Sequence, residues 1–123
     1  MGYAIGIIEE NGVKVAELTG TKGSVQGPQA VHDIIEAVAF NHRVDRVLAD
    51  RALIGEKFFD LRSGFAGELT QKFTNYRMRL AVFGNFRFIE SIALKAFIHE
   101  SNLGKTVRFF PDRAAALEWL VKG

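Results

Sequence analysis

The residues with the clearest chemical potential lie in the middle of the chain, around Ser63. A short apolar segment at 46–49 (RVLA) is typical of a buried strand, and Asp50 follows it. Ser63 and Gly64 then precede an apolar stripe at helical spacing. A hydroxyl near a helix N-terminus lies where backbone N–H groups favour negative charge. Ser63 is therefore a candidate phosphorylation site or anion contact. The alternative is that its hydroxyl only caps the helix.

Other polar and aromatic residues are expected near Ser63, either along its helix or at the ends of neighbouring strands. The run MRLAVF at 78–83 is the next predicted strand, and Asn85 follows it. The carboxyl ends of parallel strands form the edge at which open α/β folds bind ligands. We therefore predict a pocket or interface there, and its candidate residues are Asp50, Asp60, Arg62, Ser63, Gly64, Glu68, Gln71, Asn85, Phe86, Arg87 and Phe88.

Within this set the aromatic pair and one glycine carry further expectations. Phe86 and Phe88 flank Arg87, so they either cover the pocket or form an exposed apolar edge that suits a partner. Gly67 lies inside the predicted helix, where glycine costs about 1 kcal/mol relative to alanine. That cost suggests that a neighbouring helix or a ligand approaches Gly67 closely.

Several kinds of chemistry are disfavoured by the residues present. The chain has no cysteine, which removes disulfides, thiolate metal ligands and cysteine nucleophiles. Its three histidines fall in separate predicted helices without a nearby set of ligands, so we predict no metal and no cofactor. Residues 104–106 (GKT) connect a helix to a strand, whereas a phosphate-binding loop connects a strand to a helix. No catalytic residue can be named.

Composition predicts one folded domain over residues 1–123, because 48% of the residues are hydrophobic and 24% are charged. The net charge of +2 is too small to indicate a nucleic-acid partner. No apolar run approaches the roughly 20 residues that span a bilayer, and no leader-like segment opens the sequence. We therefore expect a cytoplasmic protein. One stretch, 69–89, contains basic residues without an acid, and it is either a solvated surface or a patch that attracts anions.

The periodicity of apolar residues predicts an α/β fold. Asn11-Gly12 separates two alternating runs, at 3–8 and 13–18, and this dipeptide is a strong signal for a β-hairpin. Afterwards helices alternate with strands, which implies parallel pairing through right-handed crossovers. The predicted order is ββαβαβαβα, a mixed five-stranded sheet that begins with a hairpin.

That order resembles the STAS fold of sulfate transporters and anti-sigma-factor antagonists. The ending FPDRAAALEWL is similar to the end of small STAS-type proteins. In STAS regulators a serine or threonine at the start of the helix after the third strand faces the partner protein. The resemblance makes Ser63, followed by Gly64, the matching residue here, although residues 51–62 separate it from Asp50.

A second resemblance covers nearly the whole chain. It rests on FFDL at 58–61, AGE at 66–68, QKF at 71–73, NYR at 75–77 and ESN at 100–102. These strings resemble those of a family of small bacterial proteins that is known only as a domain of unknown function. The resemblance therefore implies no activity.

Two functions remain open on this basis. The first is a non-enzymatic regulatory module of STAS type that binds a protein partner and is switched by a phosphate on Ser63. The alternative is a protein or enzyme that binds a small anionic or lipid-like ligand at the carboxyl ends of the strands. In either case we expect a monomer or a homodimer with no transmembrane segment and no nucleic-acid partner.

Overall fold

A β-hairpin begins the described part of the chain, which in this computed structural model comprises residues 2–87 and 89–122, with backbone only at 57 and 61. Strands β1 (Tyr3–Glu10) and β2 (Val13–Gly20) pair antiparallel along their full length. Asn11 and Gly12 connect them with φ angles of 53° and 76°. Positive φ at both central residues is the requirement of a type I′ turn, so the predicted hairpin is confirmed.

Three further strands extend the sheet in chain order. They are β3 (Arg46–Asp50), β4 (Arg79–Phe83) and β5 (Val107–Phe110), and the spatial order is β1-β2-β3-β4-β5. Strands β2 to β5 are mutually parallel, so only the hairpin makes the sheet mixed. The expected α/β architecture with a mixed five-stranded sheet is therefore confirmed.

Helices cover both faces of the sheet. They are α1 (Gly27–Ile35), α2 (Glu56–Phe59), α3 (Phe65–Asn75), α4 (Ile92–Leu103) and α5 (Arg113–Lys122). The larger core lies between one face and residues of α1, α2 and α3, and it has the fully buried Phe58 among its members. The smaller core lies under α5 and contains Leu48 of β3 and Leu120. Because neighbouring strand residues point to opposite faces, Val47 and Leu48 belong to different cores.

Two segments differ from the simple alternation of strands and helices. Helix α1 continues as a π-helix over Glu36–Asn41, which the apolar periodicity does not reveal. Between β3 and β4 the chain forms a 3₁₀ turn (Arg51–Leu53), then α2, then a second 3₁₀ turn (Leu61–Ser63), and only then α3. The segment 51–64 therefore adds a compact layer at the carboxyl end of β3.

Residue types predict three helix ends, with Ser91 and Asp112 as N-caps of the last two helices and Gly104 as a left-handed residue after the first of these helices. Ser91 accepts a hydrogen bond from the Leu94 amide (3.1 Å) at the start of α4, and Asp112 accepts one from the Ala115 amide (2.9 Å) before α5. Both caps are confirmed. Gly104, however, follows α4 in an extended conformation with φ at −91°, so the left-handed cap that its type suggests is wrong.

The close approach of a neighbouring helix to Gly67 is not found in the described residues. A Cβ built on Gly67 would meet no atom within 4 Å outside its own helix, and the residue is exposed. Nothing in the described residues approaches this glycine, so its place in α3 is explained by neither packing nor a contact within the chain.

Candidate functional site

An open cleft of about 820 Å³ lies at the carboxyl ends of the parallel strands β3 and β4. This is the edge at which the strand polarity predicts a site. Its walls come from the segment after β2, the segment after β3 and the end of β4. The lining residues are Lys22, Gly23, Gln26, Asp50, Arg51, Ala52, Ile54, Gly55, Glu56, Phe59, Gly84 and Asn85.

Backbone hydrogen bonds fasten the first two walls to each other. The amide of Gly23 donates to the carbonyl of Ala52 (2.7 Å), and the amide of Val25 donates to that of Leu53 (2.9 Å). The amide of Gly55 in turn donates to the carbonyl of Val25 (2.8 Å). The glycine-rich segment after β2 is therefore held against the chain that leaves β3, and the cleft has a defined floor.

Asp50 shapes the start of the segment that leaves β3. Its side chain accepts a hydrogen bond from the Ala52 amide (2.8 Å), and this contact begins the 3₁₀ turn. An aspartate that bonds the backbone two residues ahead is a common way to end a strand in a turn. Asp50 is thus a structural residue that also lines the cleft.

Arg51 is the most constrained polar side chain in the cleft. Its guanidinium carbon lies 5.0 Å from the ring centre of Phe59 and 5.3 Å from that of Phe86. One of its N–H groups donates to the backbone carbonyl of Asn85. A Cβ on Gly84 would lie 2.7 Å from the Arg51 Cβ, so only glycine leaves room for this side chain.

The charge of Arg51 is not neutralised within the described residues. None of their carboxylates forms an ion pair with it, and its hydrogen bond to Asn85 uses one of five guanidinium N–H donors. Two rings flank the cation, and each such contact contributes about 0.5–1 kcal/mol at a solvent-exposed site. Arg51 is therefore held in place while its remaining donors are available for a carboxylate or a phosphate.

A second cavity of about 410 Å³ adjoins the cleft at Gly84 and Asn85. The Asn85 side chain accepts a hydrogen bond from the Arg87 amide (2.9 Å), which turns the chain after β4. Phe86 lines this cavity, packs edge to face against Phe109 with ring centres 5.5 Å apart, and also contacts Arg51 of the cleft. The lining residues are Gly84, Asn85, Phe86, Arg87, Ile98, Asn102, Phe109, Phe110 and Pro111.

Ser63 lies outside both cavities, on an exposed turn before α3. Its hydroxyl donates to the carbonyl of Asp60 (2.7 Å) and accepts from the Phe65 amide (3.2 Å). Gly64, with φ at 78°, is the N-cap residue of α3, so Ser63 precedes the helix instead of opening it. A helix that began at Ser63 would place Ser63, Gly67 and Gln71 on one face by their spacing of four, but because Ser63 precedes α3 this expected shared face is wrong.

Asp60 and Arg62 form a local pair on the same turn. The side chain and the backbone amide of Arg62 both donate to the Asp60 carboxylate, at 3.2 and 3.1 Å. These hydrogen bonds hold the pKa of the Asp60 carboxyl below its ordinary value. The turn that presents Ser63 thus carries a fixed pair of opposite charges.

The candidate residues therefore divide between several places. Asp50 and Asn85 meet in the main cleft, Phe86 covers Arg51 beside it, and Arg87 lines the adjoining cavity. Glu68 and Gln71 are exposed on α3, and Gln71 bonds Asn75 (2.8 Å). The side chains that line neither cavity are Asp60, Arg62, Ser63, Glu68 and Gln71. Phe88 lies outside the described residues.

The sequence reasoning missed Arg51 and its neighbour Phe59. Both belong to residues 51–62, which separate Asp50 from Ser63 and have no counterpart in the STAS pattern. The STAS resemblance therefore predicts no role for either residue. A signal was present, because Arg51 directly follows the last residue of a parallel strand, where ligand-binding side chains concentrate. The contribution of Lys22 and Gln26 has no comparable signal, since it depends on how the loop after β2 folds over β3.

Two further properties bear on the kind of site. Across residues 2–87 and 89–122, His, Asp and Glu nowhere form a group of three that could hold a metal ion. Over the same residues, no helix combines the length and the apolar character needed to cross a bilayer.

Comparison with known proteins places the chain in a family. Residues 10–120 match the family described as domain of unknown function DUF4180. The chain belongs to this family, because the match covers nearly all of it, and the expected membership in a small domain of unknown function is confirmed. Among curated proteins none matches the chain.

Proposed function

We propose that this protein binds a small anionic molecule in the cleft at the carboxyl ends of β3 and β4, with Arg51 contacting the anion. The observation that carries the proposal is an arginine held between Phe59 and Phe86 without a carboxylate partner in the described residues. The volume of about 820 Å³ lies in the range of known ligand sites.

The neighbouring residues limit the character of the ligand. Lys22 adds a positive charge to the cleft, whereas Asp50 and Glu56 add negative ones. A compact polyanion would therefore meet repulsion along with attraction. A molecule with one carboxylate or phosphate at Arg51 and hydroxyl or amine groups toward Asp50 and Glu56 fits this distribution better.

Thermal stability in the presence of simple anions tests the proposal. Inorganic phosphate, citrate and glycerol phosphate are titrated against sodium chloride of matched ionic strength. A ligand at roughly a hundred times its Kd stabilises the native state by about 2.7 kcal/mol, so Tm should rise with concentration for at least one anion. A Tm that depends on ionic strength alone would contradict the proposal.

Variants of Arg51 make the test specific. Arg51→Ala removes the charge, Arg51→Lys keeps the charge but loses the planar fork, and Lys95→Ala removes one exposed charge on α4 as a control. The rise in Tm should disappear in Arg51→Ala, weaken in Arg51→Lys and persist in Lys95→Ala. An equal rise in all three would place the anion elsewhere.

A second candidate function is a STAS-like regulatory module in the cytoplasm that binds a protein partner through the region around Ser63. Its support is the exposure of Ser63 on the turn before α3 and the serial strand order of the sheet. A phosphate on Ser63 would add negative charge beside the Asp60–Arg62 pair and alter that surface. If Ser63→Asp and Ser63→Ala both leave every pull-down interaction unchanged, the switch is wrong.

A further inference from the structure

At the end of the sheet opposite the cleft, short loops lead into the amino-terminal ends of β3 and β4. The first leads from the π-helix into β3, and the second leads from α3 into β4. They are joined where the amide of Arg79 donates to the carbonyl of Asp45 (2.9 Å). Because β3 and β4 are parallel neighbours, the two loops lie next to each other.

Each loop places an arginine in the left-handed conformation just past the helix. Arg43 and Arg77 both have φ at 56°. Glycine or asparagine usually occupies such a position, because other residues are destabilised there by about 1–2 kcal/mol. The dipole at a helix C-terminus favours a cation nearby, but a cation at a neighbouring position without backbone strain would satisfy it equally well. Arginine at both positions therefore indicates a use for the side chains.

Both arginines are exposed and unpaired within the described residues. Among those residues no carboxylate forms an ion pair with Arg43 or Arg77. The nearest acid in the loops, Asp45, lies 3.5 Å from Arg46 and is thereby compensated. Two uncompensated guanidinium groups thus stand on adjacent loops of one edge.

Two aromatic residues lie within three positions of these arginines in the chain. Phe40 and Tyr76 contact each other edge-to-face with ring centres 6.1 Å apart, and they are 62% and 44% exposed. A single exposed apolar residue is ordinary, but exposed apolar residues that touch one another form a contiguous patch of the kind that marks interaction sites. This contact forms one small apolar patch where the two helices end, and Arg43 and Arg77 follow these ends in the chain.

We propose that Phe40, Tyr76, Arg43 and Arg77 form a docking surface for an acidic segment of a partner protein. An apolar side chain of that segment packs on the Phe40–Tyr76 pair, and its carboxylates pair with Arg43 and Arg77. Aromatic and arginine residues are the types that contribute most at protein interfaces, and the arginine fork matches carboxylate geometry. In the two described loops every acid is compensated, whereas Arg43 and Arg77 are not. The surface therefore carries excess positive charge, and a negatively charged partner segment complements it.

A nucleic acid fits this surface less well. Single-stranded nucleic acid is bound by a positively charged groove that follows its backbone over several nucleotides. Two deeper arginines of the edge are already engaged, since Arg46 donates to the carbonyl of Leu120 and Arg79 lies over Trp119 at 5.8 Å. The charged track that a phosphate backbone would follow is therefore short.

Fluorescence anisotropy with a labelled synthetic peptide tests the surface. The probe is a short glutamate-rich peptide with a central leucine, and its counterpart carries glutamine in place of glutamate. The full chain should bind the acidic probe, with an affinity that falls as salt is added, and should bind the glutamine peptide far more weakly. Equal binding of both peptides, or no binding of the acidic probe, would overturn the proposal.

The double variant Arg43→Asn/Arg77→Asn removes both charges with a residue that tolerates the left-handed conformation, so the fold is retained. Affinity for the probe should fall about tenfold for each arginine lost. The control Lys14→Asn/Lys95→Asn removes two exposed charges elsewhere and should bind as the parent does. Equal losses in both double variants would show a nonspecific charge effect and contradict the docking surface.

Two competing occupants are measured in parallel. Preferential binding of labelled oligouridine over the acidic peptide would favour nucleic acid and overturn the proposal. Sedimentation velocity would detect a dimer, and a dimer that Arg43→Asn/Arg77→Asn dissociates would assign the surface to a second copy of this chain and also overturn it. A monomer that binds the acidic probe supports the proposal.

Discussion

The two edges of the parallel sheet use the same residue types in opposite ways. At the carboxyl edge Arg51 lies between Phe59 and Phe86 inside a cleft, fixed by the rings and by a hydrogen bond to Asn85. At the amino edge Arg43 and Arg77 are exposed, and Phe40 and Tyr76, close to them in the chain, form an exposed edge-to-face pair. A fixed cation in a concave site suits a small ligand, whereas exposed cations around an apolar patch suit a protein surface.

The contrast has its origin in the chain between elements. After β3 the chain runs for fourteen residues through short helical turns before α3 begins, which is enough to build a wall. Before β3 and β4 the chain turns from helix to strand within a few residues, so the side chains there cannot enclose a volume. Site type therefore follows from the length of the connection as much as from its composition.

The largest expected effect comes from Gly84→Ala at the carboxyl edge. The added Cβ would stand 2.7 Å from the Arg51 Cβ at a φ of 155°, a conformation that strains any residue except glycine. Strain and crowding together should lower the free energy of unfolding by about 2–4 kcal/mol and displace Arg51. Urea denaturation measures the loss of stability. An unchanged midpoint would show that Arg51 and the chain at position 84 move apart without cost.

The second largest effect is the difference in stability between Arg51→Ala at the carboxyl edge and Arg77→Asn at the amino edge. Losing two ring contacts and a hydrogen bond should reduce stability by about 1–2 kcal/mol in Arg51→Ala. Arg77→Asn should be neutral or stabilising by up to about 1 kcal/mol, since asparagine accepts the left-handed conformation more readily. If denaturant midpoints moved equally and in the same direction, the distinction between a fixed and an exposed arginine would fail.

Gly67→Ala tests a position between the edges, on α3. The site is open within the described residues, so alanine meets no obstacle and should raise stability by about 0.5–1 kcal/mol. Thermal denaturation of this variant gives the answer. A stabilised protein that has lost binding to a ligand or partner would reveal a close approach that the isolated chain does not show.

The smallest expected effect concerns pH and an ion pair between β2 and α5, outside both arginine regions. Arg113 at the start of α5 makes a bidentate pair with Glu17 of β2 (2.7 and 2.9 Å). The hydrogen bonds from Arg113 hold the pKa of the Glu17 carboxyl below its usual value, despite partial burial that opposes them. Since this pKa is lowered in the folded state, the pair stabilises the protein above about pH 4.3 and loses that contribution as pH falls further.

Because Arg113 is about half exposed, solvent screening keeps the contribution within about 1 kcal/mol. Glu17→Gln should therefore unfold with a slightly weaker dependence on pH between neutral and acidic conditions than the parent. A carboxyl chemical-shift titration that finds an ordinary pKa for Glu17 would contradict the pairing.

How far the sequence predicts this molecule differs between its parts. Asn11-Gly12 specifies the hairpin because few dipeptides accept positive φ twice, and Ser91 and Asp112 specify caps because their side chains reach local amides. The buried stripe of Phe65, Leu69 and Phe73 likewise follows from helical spacing. Gly104 and Gly67 show the limit, since a glycine permits a conformation or an approach without requiring it.

The sequence by itself determined the local features: turns, caps, strand polarity and hence the edge where a site would form. These depend on residues close together in the chain. Only the tertiary structure decided that Phe86 contacts Arg51 and that Phe40 contacts Tyr76, because both contacts join segments brought together by parallel pairing. The contact between Arg51 and Phe59 depends on how the segment 51–64 folds back on itself. Contacts between distant segments depend on how loops cross the sheet edge, and no short-range pattern encodes that path.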